Sequence, residues 1–294
     1  MKKKILLLFL ITVGWPNLYS VSIVYNFRIA QITKQQIFEK TNQHFTLVTL
    51  FFDQFLKKHT GEHQNYLGGL ESFIYNFESY YFRTDFAVSN ISEDNCISKF
   101  SDTQTDDILF SFGKNFTLNR QSKITLTGLF GIPTHKLFVL QKPNFGFSQF
   151  GIGAQVDGSY AFNNKNSLLF GARYIHFIPR NTIDCDKNIF KFTSGNLADI
   201  LVASKNNWGK HHGLEFGYTA KFNFGADICP KFDDIIKKTN YIRSNYYLVY
   251  KYKFIINNVS NRLLFNISYG FDHLPKIFGN KYIIFFWTAW DVRF

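Results

Sequence analysis

The chain has 294 residues, a formal net charge of +12, and 46% hydrophobic and 19% aromatic side chains, with 36 Phe and 16 Tyr. That length suits one domain, and beyond the N-terminus no apolar run reaches the roughly 20 residues of a membrane-spanning helix, which excludes a helical membrane protein. A balance this positive is common in soluble nucleic-acid binders, but here the charges sit in linkers or on one phase of alternating segments, and a nucleic-acid partner is not expected.

Lys2, Lys3 and Lys4 precede the apolar stretch Ile5 to Val13, which stops at Gly14, Trp15 and Pro16. This is the layout of a secretory signal peptide, expected over residues 1–20 with cleavage after Ser20. No cysteine lies near enough for a lipoprotein anchor. Residues 21–44 are a lead-in, with Ile29 to Lys40 reading as a short helix or an inward-folded segment. The strand-bearing body is 45–294.

Alternation with period two dominates that body. Strands are expected near 46–56, 66–77, 79–89, 107–118, 122–131, 149–162, 166–178, 197–205, 211–225, 240–256, 261–272 and 281–294, about twelve by this pattern. The alternation is clean in several of them. Phe150, Ile152, Ala154, Val156, Tyr160 and Phe162 share a face opposite Gly151, Gly153, Gln155, Asp157, Ser159 and Ala161. Leu214, Phe216, Tyr218, Ala220, Phe222 and Phe224 oppose Glu215, Gly217, Thr219, Lys221 and Asn223. Residues 45–56 and 66–77 are apolar on both faces.

The linkers supply a second pattern. Short ones (Phe77-Glu78, Asn119 to Gln121, Asn163 to Lys165, Asn206 to Lys210, Asn257 to Ser260) alternate with long ones near 57–65, 90–106, 132–148, 179–196, 226–239 and 273–280. Transmembrane barrels have short periplasmic turns and longer external loops, whereas a soluble sandwich has no reason to alternate in this way. The expected fold is all-β: a closed antiparallel transmembrane β-barrel over 45–294.

The last segment, Lys281 to Phe294, puts Tyr282, Ile284, Phe286, Thr288, Trp290, Val292 and Phe294 on one face. This ending resembles the C-terminal signature of Gram-negative outer-membrane β-barrel proteins, a terminal Phe with apolar or aromatic residues at alternate positions before it. It departs from the family at Thr288, where many members carry Gly. The resemblance implies a small porin-like barrel in the bacterial outer membrane. Trp290, Val292 and Phe294 would serve as the assembly signal read by the barrel-assembly machinery, with membrane lipid and lipopolysaccharide around the barrel.

Strand phase gives the lumen-lining candidates: Arg83, Lys123, Arg173, Lys221, Arg243, Lys251, Lys253 and Arg293, facing Glu71, Asp85, Asp157, Glu215, Asp272 and Asp291. The mild positive excess suits either an anion-attracting pore or an interior of interlocking ion pairs. Phase alone predicts that Glu215→Arg and Lys251→Glu are tolerated in assembly. Cys96, Cys185 and Cys229 fall in expected external loops, where thiols tend to pair. One loop–loop disulfide is expected, its pairing open and one cysteine left over. No Cys/His spacing suggests a metal site, and no cofactor is expected. His176 shares the phase of Phe170 and Tyr174. Outer-membrane phospholipases place a catalytic His there with a Ser two residues on, but this chain has Ile178, so that likeness fails.

No Ser/His/Asp, paired-carboxylate or Gly-rich phosphate motif appears at a usable spacing, so no catalytic residue is assigned. Three function classes remain. The first is a passive channel for small, anionic solutes. The second is a closed structural or surface-interaction barrel with binding loops. The third, the least supported, is a lipid- or peptide-processing barrel enzyme.

Overall fold

A computed structural model describes residues 44–58, 63–94, 99–134, 148–183, 189–192, 195–226, 239–257, 259–273 and 280–294. The expected signal peptide, the lead-in before His44, and Cys96, Cys185 and Cys229 lie outside them. The strands are β1 (His44–Lys58), β2 (His63–Phe77), β3 (Tyr80–Asp94), β4 (Lys99–Thr105), β5 (Ile108–Thr117), β6 (Ser122–Ile132), β7 (Gly151–Ala161), β8 (Asn166–Phe177), β9 (Arg180–Ile183), β10 (Ile189–Phe192), β11 (Asn196–Trp208), β12 (His212–Ala226), β13 (Thr239–Ile256), β14 (Val259–Asp272) and β15 (Asn280–Arg293).

All but β9 and β10, which pair with each other, belong to one antiparallel 13-stranded sheet. β4 pairs with Val88–Asp94 of β3, and β5 with Tyr80–Asp85 of the same strand. These two strands therefore form a single stave, and the wall has twelve staves. The join is a bulge at Asp106-Asp107, where the Asp106 N–H donates to the Ala87 carbonyl at 2.8 Å and the strand bends.

Closure is made by β1 and β15, in register from Thr46↔Arg293 to Lys57↔Tyr282. At the end of that seam the Phe294 N–H donates to the Phe45 carbonyl at 2.9 Å, and the Phe45 N–H donates back at 3.4 Å. With β1 also paired to β2, every stave has two neighbours and no edge is left. This is the condition for strands to lie in lipid, where an unpaired peptide group finds no water.

The alternation read from the sequence becomes an outside and an inside. On β12, Phe216 is 58% exposed while Glu215 beside it is 2% exposed. The same contrast separates Phe112 from Ser111 and Val202 from Leu201. At the short-turn end the outer face carries an aromatic girdle. Phe77 stacks on Tyr80 with ring centroids 5.6 Å apart, Tyr80 on Phe112 at 5.8 Å, and Tyr252 on Phe254 at 5.7 Å. Lys114 Nζ lies 4.9 Å from the Tyr80 ring centroid, so its charge rests on a ring face at the headgroup level.

The short turns follow local side-chain chemistry. Asn119 Oδ1 accepts the N–H groups of Gln121 and Ser122 at 2.9 and 2.7 Å. Asn163 does the same for Lys165 and Asn166, both at 2.8 Å. Such Asx turns reverse the chain without help from the core.

Some boundaries differ from expectation. The linkers expected at 57–65 and 90–106 are largely strand, because β1, β2, β3 and β4 run on past the apolar band. Their distal parts, such as Ser89 to Ser92, pair well but carry no apolar alternation to reveal them. The segment expected at 197–205 is a full strand from Asn196 to Trp208. β1 and β2 are apolar on both faces because the interior beside them is itself apolar.

Candidate functional site

The lumen wall has two unlike halves. Across β15, β1 and β2 it is apolar: Phe285, Trp287, Val48, Leu50, Phe52 and Leu70 point inward and are at most 7% exposed. Across β7, β8 and β11 to β14 it is charged. The ladder there lines up inward residues strand by strand. Tyr81 pairs with Gly113, Gly113 with Thr127, Thr127 with Gln155, and Gln155 with Arg173. The row continues from Arg173 to Asp199, Lys221, Arg243 and Asp272. Strands of such barrels tilt by roughly 35–45°, so a row running along the hydrogen bonds climbs the barrel. It rises from Tyr81, next to the Glu78-Ser79 turn, to Asp272 at the far end of β14.

Two ion pairs hold four of the five charged residues on this ramp. Arg173 Nε donates to Asp199 Oδ2 at 2.9 Å, and Arg243 Nε to Asp272 Oδ1 at 2.6 Å. Lys221 lies between those pairs, half-buried, and makes no ion pair among the described residues. Lower down, Tyr81 lies across Gly113, where an added Cβ would stand 2.2 Å from the ring. The ring can therefore reach over its neighbour, and its hydroxyl meets Thr127 Oγ1 at 2.5 Å.

A second cluster occupies the short-turn half of β11 to β15. Glu215 accepts from Lys251 Nζ at 2.8 Å and from the Tyr247 hydroxyl at 3.2 Å. Arg262 Nε donates to Asp291 Oδ2 at 2.8 Å. Lys205 is the ladder partner of Glu215; like Lys221 it is half-buried and makes no ion pair among the described residues. Elsewhere Arg83 Nε donates to Asp85 at 2.7 Å, the Ser72 hydroxyl donates to the same carboxylate, and Asp157 accepts from Gln155 Nε2 at 2.6 Å.

The candidates read from strand phase are distributed as follows. Arg83, Asp85, Asp157, Arg173, Glu215, Arg243 and Lys251 are buried on the inner face, and Lys221 is half-buried there. Lys123 is half-buried near the short-turn end, and Lys253 is exposed at that rim. Glu71 is misplaced by phase, since it lies on the outer face of β2, where it accepts from the Thr49 hydroxyl at 3.0 Å. The double-sided apolarity of β2 hid which face was which. Three inner residues were missed: Asp199, Lys205 and Arg262. Extending the alternation of Leu263, Phe265 and Ile267 back by one residue would have found Arg262. Asp199 and Lys205 sit on a strand whose polar phase is diluted by Leu201 and Ala203.

At the far mouth, the Ser148 N–H donates to both oxygens of Asp107, at 3.1 and 3.2 Å. Arg180 Nη1 donates to the Ser148 carbonyl at 3.0 Å, and the Thr134 hydroxyl to the Asp106 carbonyl at 2.9 Å. Both described ends of the β6–β7 connection are thus bound to the bulge, a role for Asp106 and Asp107 that the sequence does not signal. Among the described residues no cluster of His, Cys, Asp and Glu is arranged to hold a metal.

No family model matches the sequence, and no curated protein is similar to it. The fold has close counterparts. An outer membrane channel from Pseudomonas putida F1 superposes with a TM-score of 0.70 at 10% identity, covering 87% of this chain and 97% of that one. The translocator domain of the autotransporter NalP from Neisseria meningitidis gives 0.50 at 8% identity, covering 91% and 93%. Closed wall, apolar exterior, charged interior and these counterparts agree: the chain folds as an outer-membrane β-barrel.

Proposed function

We propose that the protein is a passive channel of the bacterial outer membrane for small solutes, with a preference for anions. The observation that carries this reading is the charge left over inside. Asp85, Asp199, Glu215, Asp272 and Asp291 are each taken up by an arginine or lysine. Lys205 and Lys221 make no ion pair among the described residues, and both are half-buried on the inner face. An uncompensated cation on the wall of a narrow passage attracts anions and repels cations. The fold shared with an outer membrane channel supports the same reading. Lipopolysaccharide would surround the far rim, and the barrel-assembly machinery would engage β15 through Trp290, Val292 and Phe294.

Single-channel recording in planar bilayers tests the proposal. Folded protein should give discrete conductance steps, with a reversal potential displaced toward chloride in a salt gradient. Absence of conductance from heat-modifiable, folded protein refutes the channel, and cation preference refutes the anion part.

The near-complete burial of the apolar sector, with Val48 at 0% and Leu50 at 1% exposure, favours a second reading: a filled lumen with function in the external loops. Liposomes loaded with a small dye separate the two, since a filled barrel retains it.

A further inference from the structure

The interior is better covered than its own wall explains. Roughly eight strands close a barrel that its side chains can fill, and a wider ring leaves room inside. This ring has twelve staves, and its inner sector over β15, β1, β2 and β3 carries many small and mid-sized side chains. Val48 and Ser72 are nevertheless 0% exposed, Leu50 and Ala87 1%, and Ala289 3%. Ala289, Leu50, Leu70 and Ala87 lie in one row across the four strands, and an alanine methyl is too short to shield the leucine beside it. Something other than the wall covers this row.

Two polar groups point the same way. At the short-turn end of the sector the Thr46 hydroxyl and the Asn76 amide face inward, 2% and 4% exposed, and make no hydrogen bond among the described residues. Buried polar groups are retained where they have partners, so the cover has to offer donors and acceptors at this end as well as apolar surface above it.

We infer that residues 21–43 enter the lumen through the short-turn mouth and lie against the inner face of β15, β1, β2 and β3. β1 begins at that mouth: Phe45 bonds to Phe294 at the seam, and His44 is the ladder partner of Asn76. The chain before β1 therefore starts beside the two unpartnered groups. With the expected signal peptide removed, residues 21–43 outnumber the 15 residues of β1, so they can run the height of the wall. Their chemistry matches on both counts. Tyr25, Phe27 and Ile29 alternate with Asn26 and Arg28, and Ile32, Ile37 and Phe38 follow among lysines and glutamines. Asn42 and Gln43, next to β1, carry amides that both donate and accept. The external loops enter from the other mouth, and the described ends of the β6–β7 connection are held there, at the Asp106-Asp107 bulge. A solute in transit gives no lasting cover.

The test is thiol accessibility in the signal-processed protein with Cys96, Cys185 and Cys229 replaced by serine. Val48→Cys, probed with a small charged methanethiosulfonate, should be modified slowly in the folded barrel, and Asn164→Cys in a short turn rapidly. Deleting residues 21–43 should speed modification of Val48→Cys about tenfold, since a thiol reacts only where reagent reaches it. Heat-modifiability on gels verifies folding, and if the deletion does not fold, cross-linking decides. Ile32→Cys, Ile37→Cys and Phe38→Cys are each combined with Val48→Cys and oxidised. At least one pair should form an intrachain disulfide, and none should do so with Phe51→Cys on the outer face of the same strand. Rapid modification of Val48→Cys with residues 21–43 present, a rate unchanged by their deletion, or no disulfide in any pair would overturn the inference. So would protection that is lost when the β6–β7 connection is shortened instead. Neither readout measures conductance, so this inference and the channel proposal fail separately.

Discussion

Asp199 and Lys221 face each other across the β11–β12 ladder, yet the Asp199 carboxylate turns the other way, to Arg173 Nε at 2.9 Å. Lys221 is therefore left without an ion pair among the described residues. In a wet passage a unit charge about 4 Å away is worth about 1 kcal/mol. Reversing it by Lys221→Glu should change the energy of each passing ion by about 2 kcal/mol, in opposite senses for anion and cation, and so shift the permeability ratio by more than tenfold. Reversal potentials in a potassium chloride gradient measure this. An unchanged ratio would mean that ions do not pass Lys221.

The Arg173–Asp199 pair is nearly inaccessible, with side chains 0% and 4% exposed. Removing one member of a buried pair leaves the other charge stranded, at a cost of about 3–5 kcal/mol. Asp199→Ala should therefore lower barrel stability in denaturant titration by that order. The double variant with Arg173→Ala should recover much of the loss. If the two single changes simply add, the pair is not energetically coupled. Glu215 belongs with this case. Strand phase predicts that Glu215→Arg is tolerated; with the buried bond to Lys251 at 2.8 Å it should instead be destabilising, which the same titration measures.

Gly217 is the ladder partner of Tyr247, and a Cβ there would stand 2.3 Å from the tyrosine hydroxyl and 2.6 Å from Ala203. Gly217→Val should cost about 1–3 kcal/mol by overpacking. Adding Tyr247→Ala should relieve part of it. Equilibrium unfolding of the single and double variants in liposomes decides the matter.

On the outer face, Phe216 is 58% exposed near the middle of β12. Phe216→Arg should cost about 2–4 kcal/mol at this depth, and the folded fraction after dilution into lipid vesicles should fall accordingly. A neutral result would place Phe216 outside the hydrocarbon layer.

The fold was legible wherever one face met lipid and the other met water. Leu214 to Phe224 shows this most plainly: Phe216 and Phe224 are exposed on the outer face, whereas Glu215 and Asn223 are buried on the inner one. Legibility failed where that contrast vanished. On β1 and β2 the interior is as apolar as the exterior, so Glu71 was assigned to the wrong side. On β3 and β4 both faces leave the lipid, and polar strand read as loop. The ramp itself is not legible in the sequence, because a row across eight ladders depends on register, which no single strand encodes. The aromatic alternation ending at Phe294 was visible from the sequence, whereas its pairing with Phe45 was not.

The seam between β1 and β15 has a further consequence for biogenesis. The first and last staves are separated by almost the whole described chain, so no shorter fragment can seal itself. Every partly built sheet presents two open rims of peptide groups to hydrocarbon. Closure must then wait until β15 is free to pair with β1, and something else must cover those rims until it does.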